Sequence, residues 1–427
     1  MSILKINIIA NFAGKLWTIL LGLVLIPFYI RFIGIESYGL VSFFVIMQGT
    51  VSLLDFGLSA TINREIARFS KWPERFGEAR DLARTLEIIY WLVGLFIGCS
   101  IYIASSWIAT NWLQSGTLSD DVVSSAVAMM GISIGFQWPI SLYSGGLMGL
   151  ERQVLLNFLN ITIKTIQGLG ALFVLWMIAP TLKVFFSWQI FINIVNVGLF
   201  SFLFWRYMLP GSRFAHVKLQ SLSGVWRFTL GMGATGLVTF LLSQLDKVIL
   251  SRVLPLDLLG YYNIANQISL ATRMPAASIF AAILPRFSGL LAIEDSISLK
   301  SLYHTGCQLV SIVVLPASFT TAIFAHELIF IWTGNETIAQ MASPVASILI
   351  IGSALNSMLG IPYDLTVANG WSSFGFYQNL ISSVVLVPLM LVLVFYFGGI
   401  GAATAWLILN LGYMIFSPSI IHRRILP

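Results

Sequence analysis

The amino-acid sequence predicts an all-helical integral membrane protein, with about twelve transmembrane helices arranged in two six-helix bundles. Its composition, the length of its apolar runs and an internal repeat lead to this fold class. Of the 427 residues, 58% are hydrophobic and 9% are charged, and the mean hydropathy is +0.90, whereas a soluble domain has about 25% charged residues. This composition excludes a soluble enzyme, a disordered chain and a nucleic-acid-binding module.

The apolar runs are long enough to be transmembrane helices, which need about 20 residues each. They are too long for the strands of a membrane β-barrel and lack the strict alternation of such strands. The predicted spans are 6–30, 38–60, 86–109, 122–148, 154–178, 184–205, 228–250, 259–283, 306–330, 342–366, 374–397 and 401–421. We therefore expect an N-terminal bundle over 1–210, a cytoplasmic linker over 211–227 and a C-terminal bundle over 228–427.

The basic residues predict the orientation of the chain. With both termini in the cytoplasm, sixteen of the 23 Lys and Arg residues fall in inner segments, three in outer segments and four inside spans. Positive charge collects on the cytoplasmic side of membrane proteins, so we expect both termini to be cytoplasmic. The longest inner segment, Ile62 to Thr85, alternates basic and acidic residues, a pattern typical of a solvated helix or helix pair.

The two halves share a short repeat at an offset of 221 residues. The segment RFIGIESYG, from Arg31 to Gly39, aligns with RVLPLDLLG, from Arg252 to Gly260. Both copies lie between the first and second span of their half. Because each half has an even number of spans, the repeat predicts two halves inserted with the same orientation, as in parallel-repeat transporters.

Charged and amide side chains occur inside the predicted spans, where a charge costs about 2.5–3.5 kcal/mol at the bilayer centre. They recur every three or four residues, which places them on one face of each helix. Hydrogen bonding between helices explains some of the small polar residues, but the charges predict a hydrated cavity. The predicted cavity residues are Lys15, Lys164, Arg273, Lys247, Asn11, Asn160 and Asn266. Asp55, Asp246 and Asp364 either carry a coupling proton or sodium ion or neutralise the basic residues.

Several loose motifs carry a resemblance to a known family. They are Ile26-Pro27-Phe28 with Arg31, Gly34, Tyr38 and Gly39; Gly57-Leu58 with Asn63-Arg64; Leu245-Asp246-Lys247; Gly260-Tyr261-Tyr262; Arg273-Met274-Pro275; and Leu284-Pro285. With them the chain resembles the polysaccharide flippases of the Wzx type in the MOP superfamily, whose relatives include the MATE drug exporters and the lipid II flippase MurJ. Pro255 departs from the pattern, since the first copy of the repeat has Gly34 there.

The resemblance implies a V-shaped, MATE-like transporter in the bacterial inner membrane, with a central cavity that opens alternately to either side. It implies an undecaprenyl-pyrophosphate-linked oligosaccharide as substrate, an O-antigen or similar repeat unit moved from the cytoplasmic to the periplasmic leaflet. Membrane lipid surrounds such a transporter, and the polymerase and chain-length proteins of the pathway are the expected partners. For a lipid pyrophosphate, in-span Lys and Arg supply both charge and hydrogen-bond donors.

Two alternatives stay open from the residues. A MATE-like exporter of cationic drugs would need an acid-dominated cavity, whereas the charges assigned here to the cavity are four basic residues and three acids. A membrane glycan polymerase or ligase would need a large outer loop, whereas the longest outer segments, Thr110 to Asp121 and Trp332 to Met341, are short. With two cysteines, Cys99 and Cys307, the sequence cannot form a four-ligand zinc or iron–sulfur site. It contains no Ser-His-Asp spacing, zinc motif or phosphate-binding glycine loop, so we predict no enzymatic activity and no cofactor, apart from a coupling ion, H⁺ or Na⁺.

Overall fold

The chain is almost entirely helical in a computed structural model, which describes residues 3–208, 215–218, 240 and 244–426. The side chains of residues 3–13 and 15 lie outside the described part, among them Asn11 and Lys15. The helices are α1 (Ile3–Ile33), α2 (Ile35–Ser52), α3 (Leu58–Phe69), α4 (Phe76–Trp107), α5 (Asp120–Gln137), α6 (Ile140–Gly149), α7 (Gln153–Met177), α8 (Leu182–Tyr207), α9 (Leu256–Thr272), α10 (Met274–Ala292), α11 (Ser296–Ile323), α12 (Ala325–Thr333), α13 (Glu336–Met358), α14 (Gly360–Ala368) and α15 (Ser372–Ile425). Short 3₁₀ or π turns lie beside α2, α3 and α4.

Ten candidate membrane spans occur in the described residues, and eleven of the twelve predicted spans fall on them. Eleven predicted spans fall on ten observed ones because α15 contains both the eleventh and the twelfth predicted span. These two are divided at Gly398, whose backbone is non-helical with φ 55°. The seventh predicted span, 228–250, lies mostly outside the described residues; 244–253 are helical. The predicted all-α membrane fold is confirmed.

The chain divides into two compact units, Met1–Phe240 and Leu241–Pro427. The predicted linker, 211–227, lies outside the described residues except for 215–218. The predicted domain limits and the cytoplasmic location of the termini stay predictions.

The repeat marks the same structural position in both units. Helix α2 begins at Ile35 and helix α9 begins at Leu256, the same offset of 221 residues as in the sequence alignment. The residue before each helix differs: Gly34 has φ 80°, a value that favours glycine, whereas Pro255 has φ −54°. The turns before the two helices therefore differ, although the helices begin at equivalent residues.

The four repeat residues themselves have matching environments. Gly39 and Gly260 are buried, and Arg31 and Arg252 are exposed. The acidic residue of the first copy, Glu36, stabilises a loop. Its carboxylate accepts hydrogen bonds from the backbone N–H groups of residues 116–118. It therefore fixes the loop between α4 and α5 to the start of α2.

Helices α4 and α5 pack closely through facing glycines. A Cβ atom on Gly94 would lie 2.7 Å from the carbonyl oxygen of Gly135, and one on Gly98 would lie 3.2 Å from that of Gly131. Each helix thus carries a Gly-x-x-x-Gly motif, which lets two transmembrane backbones approach closely.

The acidic and basic segment between the second and third spans forms a helix pair, as predicted, but one face of the pair is buried. Glu65 on α3 is 3% exposed and pairs with Arg64 at 2.6 Å. Asp81 on α4 is 1% exposed, accepts a hydrogen bond from the backbone N–H of His216 at 2.8 Å and pairs with Lys218 at 2.8 Å. Glu65 therefore stabilises α3 itself, and Asp81 fixes residues 215–218 to α4.

Candidate functional site

The first unit contains a polar cavity of about 510 Å³ among α3, α5, α6, α7 and α8. Its described lining consists mainly of amides and hydroxyls, and Lys164 is the one charged residue among them. The lining residues are Ser59, Ala60, Asn63, Gln137, Ile140, Ser141, Ser144, Gly145, Met148, Asn160, Lys164, Asn193 and Asn196. The predicted cavity residues Lys164 and Asn160 are therefore brought together here.

Lys164 is held by amide side chains. Its Nζ atom donates a hydrogen bond to Oε1 of Gln167 at 3.1 Å, one turn along α7, where residues at i and i+3 are neighbours. Gln167 in turn donates from Nε2 to Oε1 of Gln189 on α8 at 2.5 Å. Within the described part of the chain, no carboxylate pairs with Lys164. Because the amides orient the ammonium group without neutralising it, its positive charge stays available to a ligand.

Further amides of this cavity come from α5 and α8. Asn193 donates from Nδ2 to Oγ of Ser133 at 2.8 Å, and Gln48 donates from Nε2 to Oε1 of Gln137 at 2.6 Å. Oδ1 of Asn196 is buried and has no hydrogen-bond partner among the described residues. Such an atom is expected to accept from water or a ligand. Sequence reasoning missed Asn193 and Asn196, although both lie inside an apolar predicted span.

The second unit contains a separate polar cavity of about 450 Å³ at the junctions of α9 with α10 and of α13 with α14. It joins charged, amide and aromatic side chains. The lining residues are Arg273, Ala277, Phe280, Asn356, Ser357, Leu359, Gly360, Pro362, Tyr363, Asp364, Phe374, Gln378, Asn379, Tyr413, Ser417 and Ile421.

Helix breaks place the two charged residues of this cavity. The eighth predicted span is divided at Arg273 into α9 and α10, and the tenth is divided at Leu359 into α13 and α14. Pro275 and Pro362 follow these breaks, where a proline in the first turn is tolerated because its missing N–H has no helical partner. Discontinuous helices are typical of substrate sites in transporters.

Arg273 is also held by amides. Its Nη2 atom donates a hydrogen bond to Oδ1 of Asn356 at 2.6 Å, and Asn356 donates from Nδ2 to Oδ1 of Asn410 at 2.8 Å. Of the residues that the structure describes, none forms a salt bridge with Arg273. Each unit therefore presents to its cavity one basic residue that is fixed by an amide pair.

The three predicted coupling-ion residues have different environments. Asp364 lines the cavity of the second unit, and its buried Oδ2 atom has no hydrogen-bond partner in the described part of the chain. Asp55 accepts hydrogen bonds from Ser59 and from the hydroxyl of Tyr90. Their roles in coupling stay predictions.

Asp246 belongs to an acid–tyrosine pair in the second unit. Its Oδ2 accepts a hydrogen bond from the hydroxyl of Tyr262 at 2.6 Å, and Nζ of Lys247 lies 3.7 Å from its Oδ1. Neither Asp246, Lys247 nor the half-buried Asn266 lines the cavity that contains Arg273. The predicted cavity roles of Lys247 and Asn266 stay predictions. The side chains of Lys15 and Asn11 lie outside the described part of the chain.

Solved structures of other proteins have a similar fold. The fold is similar to an inward-facing MATE transporter of the MOP superfamily, with a TM-score of 0.72, 15% identity and coverage of 95% of each chain. It is equally similar to the lipid II flippase MurJ in an inward closed conformation, with a TM-score of 0.73, 15% identity and coverage of 97% of this chain and 87% of that one. The fold is that of a MOP superfamily transporter.

The sequence comparisons show the family. The model of the family described as "Polysaccharide biosynthesis protein" matches residues 4–291, and the MatE model matches residues 232–392. The chain belongs to the polysaccharide biosynthesis protein family. It is 24% identical over 410 residues to a putative O-antigen transporter of Shigella flexneri, covering 95% of this chain and 94% of that protein. The predicted resemblance to Wzx-type flippases and the predicted multi-pass inner-membrane protein are confirmed.

Proposed function

We propose that this chain is a flippase that moves an undecaprenyl-pyrophosphate-linked oligosaccharide from the cytoplasmic to the periplasmic leaflet by alternating access. The family membership and the O-antigen transporter among its relatives support a lipid-linked polysaccharide precursor as the substrate. The related transporters and flippases also favour a transport protein over the membrane polymerase or ligase.

One structural observation carries the choice of an anionic substrate. Lys164 and Arg273 each line a cavity and each bond to an amide, Gln167 or Asn356, instead of a carboxylate. A basic residue inside the membrane normally pairs with an acid because an isolated charge is costly there. Held by neutral partners, both residues keep their full charge for the pyrophosphate or for acidic groups of the glycan, and they also supply hydrogen-bond donors.

The cavity of the first unit argues against a cationic drug as substrate. None of the described residues that line it is acidic, so a cation entering it would meet only the ammonium of Lys164. An exporter of cationic drugs would need the opposite charge at this position.

The proposal also includes a coupling ion and protein partners. Asp364 is the predicted acid that opens on a described cavity, which makes it the first candidate for proton or sodium coupling. Once the glycan is on the periplasmic leaflet, a polymerase and chain-length proteins of the same pathway are the enzymes and regulators expected to use it.

The test is a sidedness assay in proteoliposomes. Lipid-linked oligosaccharide is incorporated, and the fraction accessible to an external glycan-modifying enzyme is followed with wild type, Lys164→Gln, Arg273→Gln and empty vesicles. Lys183→Gln is the matched control in the first unit, because Lys183 is exposed and lies outside the cavity. Protein-dependent flipping that falls at least tenfold in the two cavity variants supports the proposal. Efflux of a cationic dye without glycan movement would refute it in favour of the drug exporter.

A further inference from the structure

The two cavities differ in charge, and this difference suits them to different parts of the lipid-linked oligosaccharide. Among the described residues, the first cavity is lined by one basic residue and no acid, whereas the second contains both Arg273 and Asp364. A pyrophosphate carries at least two negative charges, so the carboxylate of Asp364 would repel it. Charge complementarity therefore favours the pyrophosphate near Lys164 and a group of low net charge beside Asp364.

We infer that the cavity of the second unit is a sugar-binding subsite, in which Asp364 and its neighbours hold a pyranose ring of the glycan. This inference rests on the proposed function and adds to it the site that selects the sugar. A volume of about 450 Å³ lies within the range of about 300–1,000 Å³ that small-molecule sites occupy.

The unsatisfied carboxylate is the first observation that points to a sugar. Oδ2 of Asp364 is buried without a hydrogen-bond partner in the described part of the chain. A buried acceptor left unpaired is destabilising, and a carboxylate is an acceptor only, with room for several donors. Adjacent hydroxyl groups of a pyranose are donors of this kind. A bound cation would also satisfy the carboxylate, but the guanidinium of Arg273 in the same lining opposes a second positive charge.

The rest of the lining supplies what a sugar ring requires. Four aromatic rings, from Phe280, Tyr363, Phe374 and Tyr413, line this cavity, and the C–H face of a pyranose packs on such apolar surfaces. Gln378, Asn379 and Asn356 provide amides that both donate to and accept from hydroxyl groups. The hydroxyl of Tyr413 lies 3.5 Å from Oδ1 of Asn379, so these two groups are already adjacent. In contrast, no aromatic residue lines the described cavity of the first unit.

The test compares two lipids that differ only in the sugar. Binding of undecaprenyl pyrophosphate and of undecaprenyl-pyrophosphate-linked oligosaccharide from the host strain is measured on the purified full-length protein. Asp364→Asn is expected to weaken binding of the glycan-bearing lipid about tenfold, or about 1.4 kcal/mol, and to leave the sugar-free lipid within a factor of two. Tyr413→Phe, a smaller change that keeps the ring, is expected to lower the same preference by a smaller factor. Lys164→Gln is expected to weaken both lipids.

Glu327→Gln is the matched control, since it removes an exposed acid of the second unit outside the cavity. The inference is overturned if Asp364→Asn affects both lipids equally or neither. It is also overturned if this variant abolishes sodium binding while the affinity for the glycan-bearing lipid is unchanged, because the cavity is then a cation site. A wild type that binds neither lipid refutes the proposed function itself, and this outcome is distinct from a loss of sugar preference.

Discussion

Arg273 donates a hydrogen bond to the side-chain amide of Asn356 over 2.6 Å, and no carboxylate among the described residues takes that place. The same relationship recurs in the other unit, where Lys164 donates to Gln167 at 3.1 Å. An amide orients a basic side chain but does not cancel its charge. In a membrane protein such an arrangement is costly unless an anion uses it, so the amides are as important to the proposed site as the basic residues.

Replacing the amide of Gln167 with an acid is expected to block transport without removing Lys164. Gln167→Glu places a carboxylate beside Nζ of Lys164, and the resulting ion pair neutralises the charge that the pyrophosphate needs. We expect flipping in proteoliposomes to fall at least tenfold, to the level of Lys164→Gln. Gln167→Leu removes the hydrogen bonds to Lys164 and Gln189 without adding a charge and is expected to have a smaller effect. Equal flipping by Gln167→Glu and wild type would show that the charge of Lys164 is not used.

The corresponding change in the second unit is Asn356→Asp. It is expected to pair with Arg273 and to lower flipping of the glycan-bearing lipid about tenfold, consistent with the value of about 1.5–3 kcal/mol for a hydrogen bond to a charged group. The protein should remain folded, because a half-buried ion pair replaces a half-buried hydrogen bond to a charged group. A thermal unfolding measurement provides the check. If Asn356→Asp transports at the wild-type rate while Arg273→Gln is inactive, Arg273 orients the substrate and its free charge is not used.

The glycine contact between α4 and α5 predicts a stability effect that is independent of transport. Gly135→Val adds atoms where a Cβ would already lie 2.9 Å from the carbonyl oxygen of Gly94. Overpacking of this kind destabilises by about 1–3 kcal/mol, so the unfolding temperature in detergent should fall. Gly198→Val is the control, because a Cβ on Gly198 meets nothing within 4 Å. Equal unfolding temperatures for the two variants would contradict the close packing of α4 on α5.

Much of the fold could be predicted from the sequence, because apolar runs of transmembrane length are a strong local signal. The repeat at Arg31 and Arg252 located the start of α2 and α9 at equivalent residues. The breaks within predicted spans were harder to locate. The division at Arg273 depends on Pro275 and on packing between distant helices, and a proline inside a span indicates a kink without its position.

The candidate sites could be predicted only in part. Lys164 and Arg273 were recognisable because a charged residue inside an apolar run is rare and, being costly in the membrane, is typical of a functional site. The second amides of the two networks, Gln189 and Asn410, were not, since each comes from another helix and only the fold brings it near Gln167 or Asn356. A single amide inside an apolar run, such as Asn196, is a sequence signal from which the additional lining residues could have been predicted.

The central claim is that the positive charges of Lys164 and Arg273, each held by an amide and not by a carboxylate, are needed to move the lipid-linked oligosaccharide. The most direct measurement is the initial rate of protein-dependent flipping for two double variants, Lys164→Gln/Arg273→Gln and the charge-conserving Lys164→Arg/Arg273→Lys, in the same proteoliposomes as wild type. We expect the charge-conserving protein to keep measurable flipping and the neutral protein to fall to the rate of empty vesicles. A neutral double variant that is folded and flips the lipid-linked oligosaccharide at the wild-type rate would contradict the claim.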